Sequence, residues 1–295
     1  MTTLGADYIA RHLYSNDRIH TPLPSPEAIT DADMQFFRQQ GFLAIENVFT
    51  TAEVEAAKAG LSWLIGGNVS AFTDIQFEDG IDVGRMQSDE RESYVRKIMR
   101  FVEHEPRLKA MSEHPRLKAI VERLIGSEVK LIQDMALLKP PQVGREKPWH
   151  QDLAYFAIQP SGLVIGTWTA LDRATLENGC MHVIPGSHRQ GPRPHYHDRD
   201  CQLNDEDVQA DKDVAVPLSP GGVLFFSALL HHGTPPNRSA DRRRAVQLHY
   251  AATHCRSITE EEHVQLFADA KGYAGCVHFP SGTRPRPVVG KPGQI

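Results

Sequence analysis

A mainly β fold with an attached helical layer is what this 295-residue sequence predicts: a jelly-roll or barrel core with N-terminal helices packed outside it. From Val129 onward the apolar residues fall in short runs broken by turn residues, with no helices between them. Before Val129 they recur at helical spacing behind N-cap signals. Helices set before a β-rich stretch suit an open barrel sheet whose outer face needs covering. A single domain over residues 1–295 is therefore expected: a mainly helical support at 1–128, the β core at 129–255 and a C-terminal extension at 256–295.

The elements follow in order. Thr30 with Asp33 is an N-cap with an acid in the first turn, ahead of Met34, Phe36 and Phe37. Gly41 stops that helix, and Phe42–Ile45 is a short strand. Thr50-x-x-Glu53 is a capping box, and Val54, Ala57, Leu61 and Leu64 continue it at helical spacing. Pro106 and Pro115 are good first-turn residues for two more helices, the second ending near Gly126. The core strands are then Val129–Leu138, Gly162–Leu171, Gly179–Ile184, Val214–Val216, Val223–Phe226 and Ala245–Ala251. Asn178-Gly179 predicts a tight type I′ hairpin, because both central residues of that turn need φ > 0. Pro185-Gly186-Ser187 and Pro220-Gly221-Gly222 punctuate the rest.

Composition narrows the function classes. With 40 % hydrophobic and 23 % charged residues, the chain is that of a water-soluble globular protein. No apolar run approaches the ~18 residues of a membrane span. Asp7, Arg11, Asp17 and Arg18 leave no apolar stretch for a secretion signal, and Pro292-Gly293-Gln294-Ile295 is no peroxisomal address. Cys180, Cys201, Cys255 and Cys276 lie far apart, which speaks against a zinc ribbon or a disulfide scaffold and for a reducing compartment, the cytoplasm. The net charge of −5 sits within residues 198–213, where seven acidic residues face only Arg199 and Lys212. That segment offers nothing to nucleic acid, and no basic stripe stands elsewhere.

The chemistry-bearing residues come in two groups. His150-Gln151-Asp152 puts an imidazole and a carboxylate on one side of an extended segment, since side chains repeat every second residue. Two such groups with a distant histidine form the facial triad of non-haem Fe(II) oxygenases. The tripeptide alone carries little weight, because a chain with 15 histidines meets the pattern by chance. The second group is the apolar run Phe225–Leu230, which delivers His231 and His232 to Gly233. His232, beside the glycine, is the better ligand, and His231 is expected to face away. Asn237 and Arg242-Arg243-Arg244 follow. Only one of the three arginines can point steadily inward at a strand entrance, and an inward guanidinium calls for an anionic partner.

With these residues assembled, the chain resembles the phytanoyl-CoA dioxygenase-like family of Fe(II)/2-oxoglutarate oxygenases. The resemblance rests on Lys139-Pro140-Pro141, Trp149-His150-Gln151-Asp152, Gly166–Leu171, Glu177-Asn178-Gly179-Cys180, Ile184–His188, Pro220-Gly221-Gly222, His232-Gly233, Asn237 and Arg243. These stand in the expected order between about Lys97 and Ala252. The resemblance implies a double-stranded β-helix, cupin-like, with helices outside. It makes His150, Asp152 and His232 the iron ligands, and Arg243 the anchor for the distal carboxylate of 2-oxoglutarate. Trp168, Met135 and Lys97 fall where the family contacts that cosubstrate. His188 is expected to be a structural turn residue, and Trp149 either shapes the pocket or packs.

The implied reaction consumes 2-oxoglutarate and O₂, with ascorbate as a supporting reductant, and hydroxylates a C–H bond while releasing succinate and CO₂. A carboxylate at position 152 favours hydroxylation, since related halogenases carry a small residue there. The competing readings are a non-catalytic 2-oxoglutarate or metal-binding module, and a cupin-type metalloenzyme that needs no oxo acid. Residues 193–213 are expected to form an entrance loop that selects the substrate. Their acidity would repel coenzyme A phosphates, which favours a small free metabolite over an acyl-CoA.

Overall fold

The computed structural model describes residues 12–15, 18–78, 80–82, 86, 88–270, 272–273, 275–277 and 279. Local signals set the first elements. Thr30 caps α1 (Asp31–Gln40), its backbone N–H donating to Asp33 Oδ2 at 2.8 Å, and Gly41 at φ +82° ends it before β1 (Phe42–Ile45). The Thr50–Glu53 capping box opens α2 (Thr51–Ile65), which buries Val54, Ala57, Leu61 and Leu64. Then come β2 (Ile75–Phe77), α3 (Ser88–Arg91), β3 (Val95–Met99), α4 (Pro106–Ser112) and α5 (Pro115–Ile125), which ends on left-handed Gly126. Among the described residues the helical front thus contains three strands, not one. Strands as short and polar as β2 and β3 have no hydrophobic period of their own and are strands because a sheet edge receives them.

The core follows as β4 (Val129–Lys139), β5 (Lys147–His150), β6 (Ile158–Gln159), β7 (Val164–Ala170), β8 (Met181–Val183), β9 (Tyr196–His197) and β10 (Cys201–Gln202). It continues with β11 (Val214–Val216), β12 (Val223–Ser227), β13 (His232–Thr234), β14 (Arg243–Ala252), β15 (Arg256–Ser257) and α6 (Glu260–Phe267). The larger sheet has the order β1-β12-β7-β14-β4-β3-β2 and the smaller β11-β8-β13-β5, with antiparallel pairing throughout. This is the predicted double-stranded β-helix.

Period-two alternation divides the larger sheet between two environments. Val246, Leu248 and Tyr250 of β14 face outward and pack with Leu61, Leu108, Leu117 and Val121 of the helices. Tyr250 also donates its hydroxyl to the Ser112 carbonyl at 2.6 Å, which ties β14 to α4. The inner face contributes Phe42, Trp168, Leu224, Phe226 and Ala245 to a second cluster with Met181, Val183 and Val216 of the smaller sheet. That cluster fills part of the space between the two sheets.

Two expectations are corrected. Asn178 is not left-handed; only Gly179 is, at φ +84°. The Asn178 side chain instead closes a wider turn, accepting from Thr175 N and donating to the Arg173 carbonyl, each at 2.8 Å. The strands on either side, β7 and β8, belong to different sheets, so this turn passes the chain between sheets rather than making a hairpin. The cysteines are the second correction: Cys201 and Cys276, 75 residues apart, meet as a disulfide with Cα atoms 6.2 Å apart. The chain beyond α6 folds back over β9 and β10, a long-range return that sequence spacing cannot show. The cysteine argument for a reducing compartment therefore falls. What stands is that no helix among the described residues is long and apolar enough to cross a membrane.

A stability prediction follows from the turn before β12. Gly221 sits at φ +88°, and an added Cβ would fall inside contact distance of the Phe49 carbonyl oxygen. That oxygen cannot yield, because Gly221's own backbone binds Ala170, Val48 and Phe49. Gly221→Ala should lose about 2 kcal/mol or more, read as a lower midpoint in denaturant unfolding.

Candidate active site

The smaller sheet builds the site. On adjacent β5 and β13, His150 and His232 are register partners, so their rings share one face with centroids 4.2 Å apart. Each Nδ1–H donates to the carbonyl two residues back, Pro148 at 2.8 Å and Leu230 at 2.9 Å. That fixes the tautomer and leaves both Nε2 lone pairs free. They converge on Asp152, His150 Nε2 lying 3.2 Å from Oδ1 and His232 Nε2 3.4 Å from Oδ2. All three side chains are buried, and their ligating atoms lie within 4.8 Å of one another.

Gln151, between the two, anchors the motif. Its side chain donates to the Leu229 and Gly191 carbonyls at 2.7 and 2.9 Å and accepts from Arg193 N at 2.8 Å. Its backbone N–H donates to buried His195 Nε2 at 2.9 Å. Behind Asp152, Gln247 and His249 of β14 donate to Oδ2 at 2.9 and 2.7 Å. Sequence reasoning missed Gln247, His249 and His195. The signal for the first two was the alternation Arg243-x-Ala245-x-Gln247-x-His249, which puts polar groups on the inner face of a buried strand.

Electrostatics match a divalent cation. Burial, then His232 and Lys147, push the His150 imidazole down to about 4. Burial alone would raise Asp152, yet its contacts with the His232, His249 and His150 imidazoles hold its carboxyl well below the usual range. Neutral imidazole with ionised carboxylate is the donor set a first-row divalent ion takes.

Beyond the triad a cavity of about 390 Å³ opens between the sheets. Arg243 lines it, fully buried and opposite Lys139 in register. Among the described residues its guanidinium donates only to the Leu137 carbonyl at 3.3 Å and keeps Nε without a partner, and it lies 5.2 Å from the Trp168 ring. Burial lowers its pKa to about 10. Arg242 and Arg244 turn away, to Glu92 and to Asp172 with Glu92. Met135 and Lys97 also line the cavity, whereas Trp168 is buried beside Arg243 with its indole N–H lacking an acceptor. A buried guanidinium with no carboxylate partner and an idle Nε among the described residues fits an incoming carboxylate.

His231 is buried elsewhere with neither ring nitrogen bonded to a described residue, and burial pushes it down to about 4. His188 bonds the Arg38 carbonyl at 3.2 Å in its turn, and Trp149 packs on Tyr14 while donating to the Leu13 carbonyl at 3.1 Å.

Residues 193–213 need correction. They form β9, β10 and two short helical turns, and only Arg199 and Asp200 among them reach the cavity. Tyr196 bonds Asp269, and His197 bonds the Gly275 carbonyl. His195 lies beneath the ligand motif rather than over the entrance. His195→Ala should therefore weaken divalent-metal binding about tenfold in calorimetry of the metal-free protein, as loss of a support behind a ligand does. His197→Ala, at the exposed surface, should not.

The profile of the phytanoyl-CoA dioxygenase (PhyH) family matches residues 37–245, over half of the chain and including every residue of the triad together with Arg243. The chain belongs to the phytanoyl-CoA dioxygenase family. Enzyme class comes with that membership: an Fe(II)/2-oxoglutarate-dependent dioxygenase. Among relatives of this phytanoyl-CoA dioxygenase family chain, the peroxisomal phytanoyl-CoA dioxygenase of Homo sapiens is 27 % identical over 251 residues, covering 80 % of this chain and 74 % of that one. A probable phytanoyl-CoA dioxygenase of Caenorhabditis elegans is 28 % identical over 246 residues, 77 % of each. Among solved structures, the α-ketoglutarate-dependent carbocyclase SnoK from nogalamycin biosynthesis superposes with TM-score 0.64 at 22 % identity, covering 86 % of this chain and 97 % of that one. EvdO2 from Micromonospora carbonacea var. aurantiaca, complexed with 2-oxoglutarate, gives 0.60 at 24 %, covering 79 % and 94 %. These structures establish a shared fold.

Proposed function

We propose that this chain hydroxylates an unactivated C–H bond of a small-molecule metabolite, with release of succinate and CO₂. One observation carries the proposal: a His–Asp–His cluster and a buried arginine without a carboxylate partner face one cavity. His150, Asp152 and His232 would hold Fe(II). When bound, the iron supplies the oxidising chemistry that couples O₂ and decarboxylation of 2-oxoglutarate to oxygenation of the substrate.

The protein's residues do the rest. The Pro148 and Leu230 carbonyls orient the imidazoles, and Gln247 with His249 orients the carboxylate. Arg243 would take the distal carboxylate of 2-oxoglutarate, with Met135 in the wall beside it and the Trp168 ring packed against the guanidinium. Lys97 is the further cosubstrate contact that the family resemblance implies. Asp152 fills the third ligand position with a carboxylate, which favours hydroxylation over halogenation. Met181 lines the cavity and packs in one apolar cluster with Trp168 and Leu224, which would help keep water from the reacting centre.

The test is succinate formation from 2-oxoglutarate with Fe(II), O₂ and ascorbate, without added substrate and with candidate metabolites. The proposal predicts a basal release that a true substrate stimulates. Binding of 2-oxoglutarate without any succinate would instead support a non-catalytic module.

A further inference from the structure

We propose that the Cys201–Cys276 disulfide is a thiol-exchange site: an external dithiol opens it, and opening loosens the support beneath the metal ligands. The effect falls on the metal site, so in that respect it rests on the oxygenase reading.

The two cysteines fasten the chain that returns after α6 to the β9–β10 hairpin, across 75 residues of sequence. Two hydrogen bonds help, Tyr196 to Asp269 and His197 Nε2 to the Gly275 carbonyl at 2.9 Å, and each is a modest net gain. A covalent link that closes so long a loop restrains the return far more than either bond does. The return reaches the metal site through one residue. Gly275 and Cys276 border a small hollow together with His195, His263 and Phe267. The Phe267 ring lies edge-on to His195 at 5.9 Å and stacks on His263 at 4.6 Å, and His263 Nδ1 bonds the Tyr273 hydroxyl at 2.7 Å. On its other side His195 Nε2 accepts from the backbone N–H of Gln151, the residue between two metal ligands, at 2.9 Å. The return thus covers one side of the group that holds the ligand motif. Freed, it admits water that competes for His195 Nε2.

The sulfurs are placed for exchange. Cys201 is buried and Cys276 only partly so, and an incoming thiolate meets the Cys276 sulfur first. One ring nitrogen of His197, the register partner of Cys201, lies within 4.8 Å of both sulfurs. A structural cross-link needs no such neighbour, whereas a departing thiolate is stabilised by one. The thiolate of a dithiol attacks Cys276 Sγ, the S–S bond breaks, and its electron pair leaves on Cys201 Sγ, which takes up a proton. The second thiolate of the reductant then displaces Cys276 Sγ and closes a disulfide within the reductant. Two electrons and two protons pass to the protein, and the dithiol is oxidised.

The experiment treats the native protein with dithiothreitol, removes the reductant without O₂, and titrates the metal-free protein with Mn(II) in a calorimeter. Mn(II) is the probe because thiolate ligands favour softer ions, so the new thiols do not compete for it. Alkylation should find two new thiols, Cys201 and Cys276. Mn(II) should then bind several-fold more weakly, up to the about tenfold loss expected of His195→Ala. Reoxidation should restore the affinity. Cys276→Ser should bind as the reduced wild type does and ignore the dithiol. His195→Ala should bind alike whether oxidised or reduced, since the effect passes through His195. His197→Ala should keep its disulfide but react with the dithiol about threefold or more slowly. The proposal is overturned if the native protein yields no new thiols, or if the fully reduced protein binds Mn(II) as the oxidised protein does. Equal weakening of His195→Ala on reduction would overturn it too, by removing the route through His195. Failure of the oxygenase reading looks different: the oxidised wild type would then bind no Mn(II) at all.

Discussion

Replacing His150, Asp152 or His232 by alanine should abolish succinate formation and weaken Fe(II) or Co(II) binding by more than about a hundredfold, since even supports behind a ligand are worth up to that much. The neighbouring histidine is the control. His231 is as buried as His232, but its ring nitrogens do not approach the carboxylate. His231→Ala should thus lower stability and leave metal affinity unchanged. Calorimetry of the metal-free variants separates the two, and metal loss in His231→Ala with retention in His232→Ala would reverse the choice within the pair. Gln247 and His249 sharpen the Asp152 prediction. In Asp152→Ala both lose their acceptor inside the cavity wall, so that variant should lose stability as well as metal.

Arg243→Ala should raise the 2-oxoglutarate requirement about 30-fold or more. Truncating one partner of a buried charge pair costs roughly 2–5 kcal/mol, and each ~1.4 kcal/mol is tenfold. Arg242 and Arg244 are bound to Glu92 and Asp172 outside the cavity, so their alanine variants should change this requirement by less than about threefold. Half-saturation in the succinate assay measures all three. Equal effects would count against a single inward anchor. Arg244→Ala should instead appear in the unfolding midpoint, because it leaves the half-buried Asp172 carboxylate without its two-toothed partner.

What the sequence makes legible here is what is local. The Thr30 and Thr50 caps, the Pro106 and Pro115 starts and left-handed Gly126 are decided within one or two turns of chain, and each stands where its pattern puts it. The long core strands are legible for the same reason, since β7 and β14 carry enough β-branched and apolar residues to have a period of their own. Strands decided by their partners are not. β5 and β13 are too short to announce themselves, yet their register makes His150 and His232 neighbours. Asn178-Gly179 misleads because its tight-turn signal holds only if the flanking strands pair, and they lie in different sheets. The acidity of residues 198–213 misleads because charge in sequence says nothing about which cations fold against it; Arg96 comes from β3, over a hundred residues away. Gln247, His249 and His195 are missed because supporting a ligand requires no motif, only a place on the right face.

The most direct test of the account is a structure of the protein grown without O₂ with Fe(II) and 2-oxoglutarate. The account predicts one iron about 2.0–2.2 Å from His150 Nε2, His232 Nε2 and an Asp152 oxygen. It also predicts the distal carboxylate of 2-oxoglutarate within hydrogen-bond reach of the Arg243 guanidinium. Iron held by any other set of side chains, or the oxo acid lying away from Arg243, would contradict it.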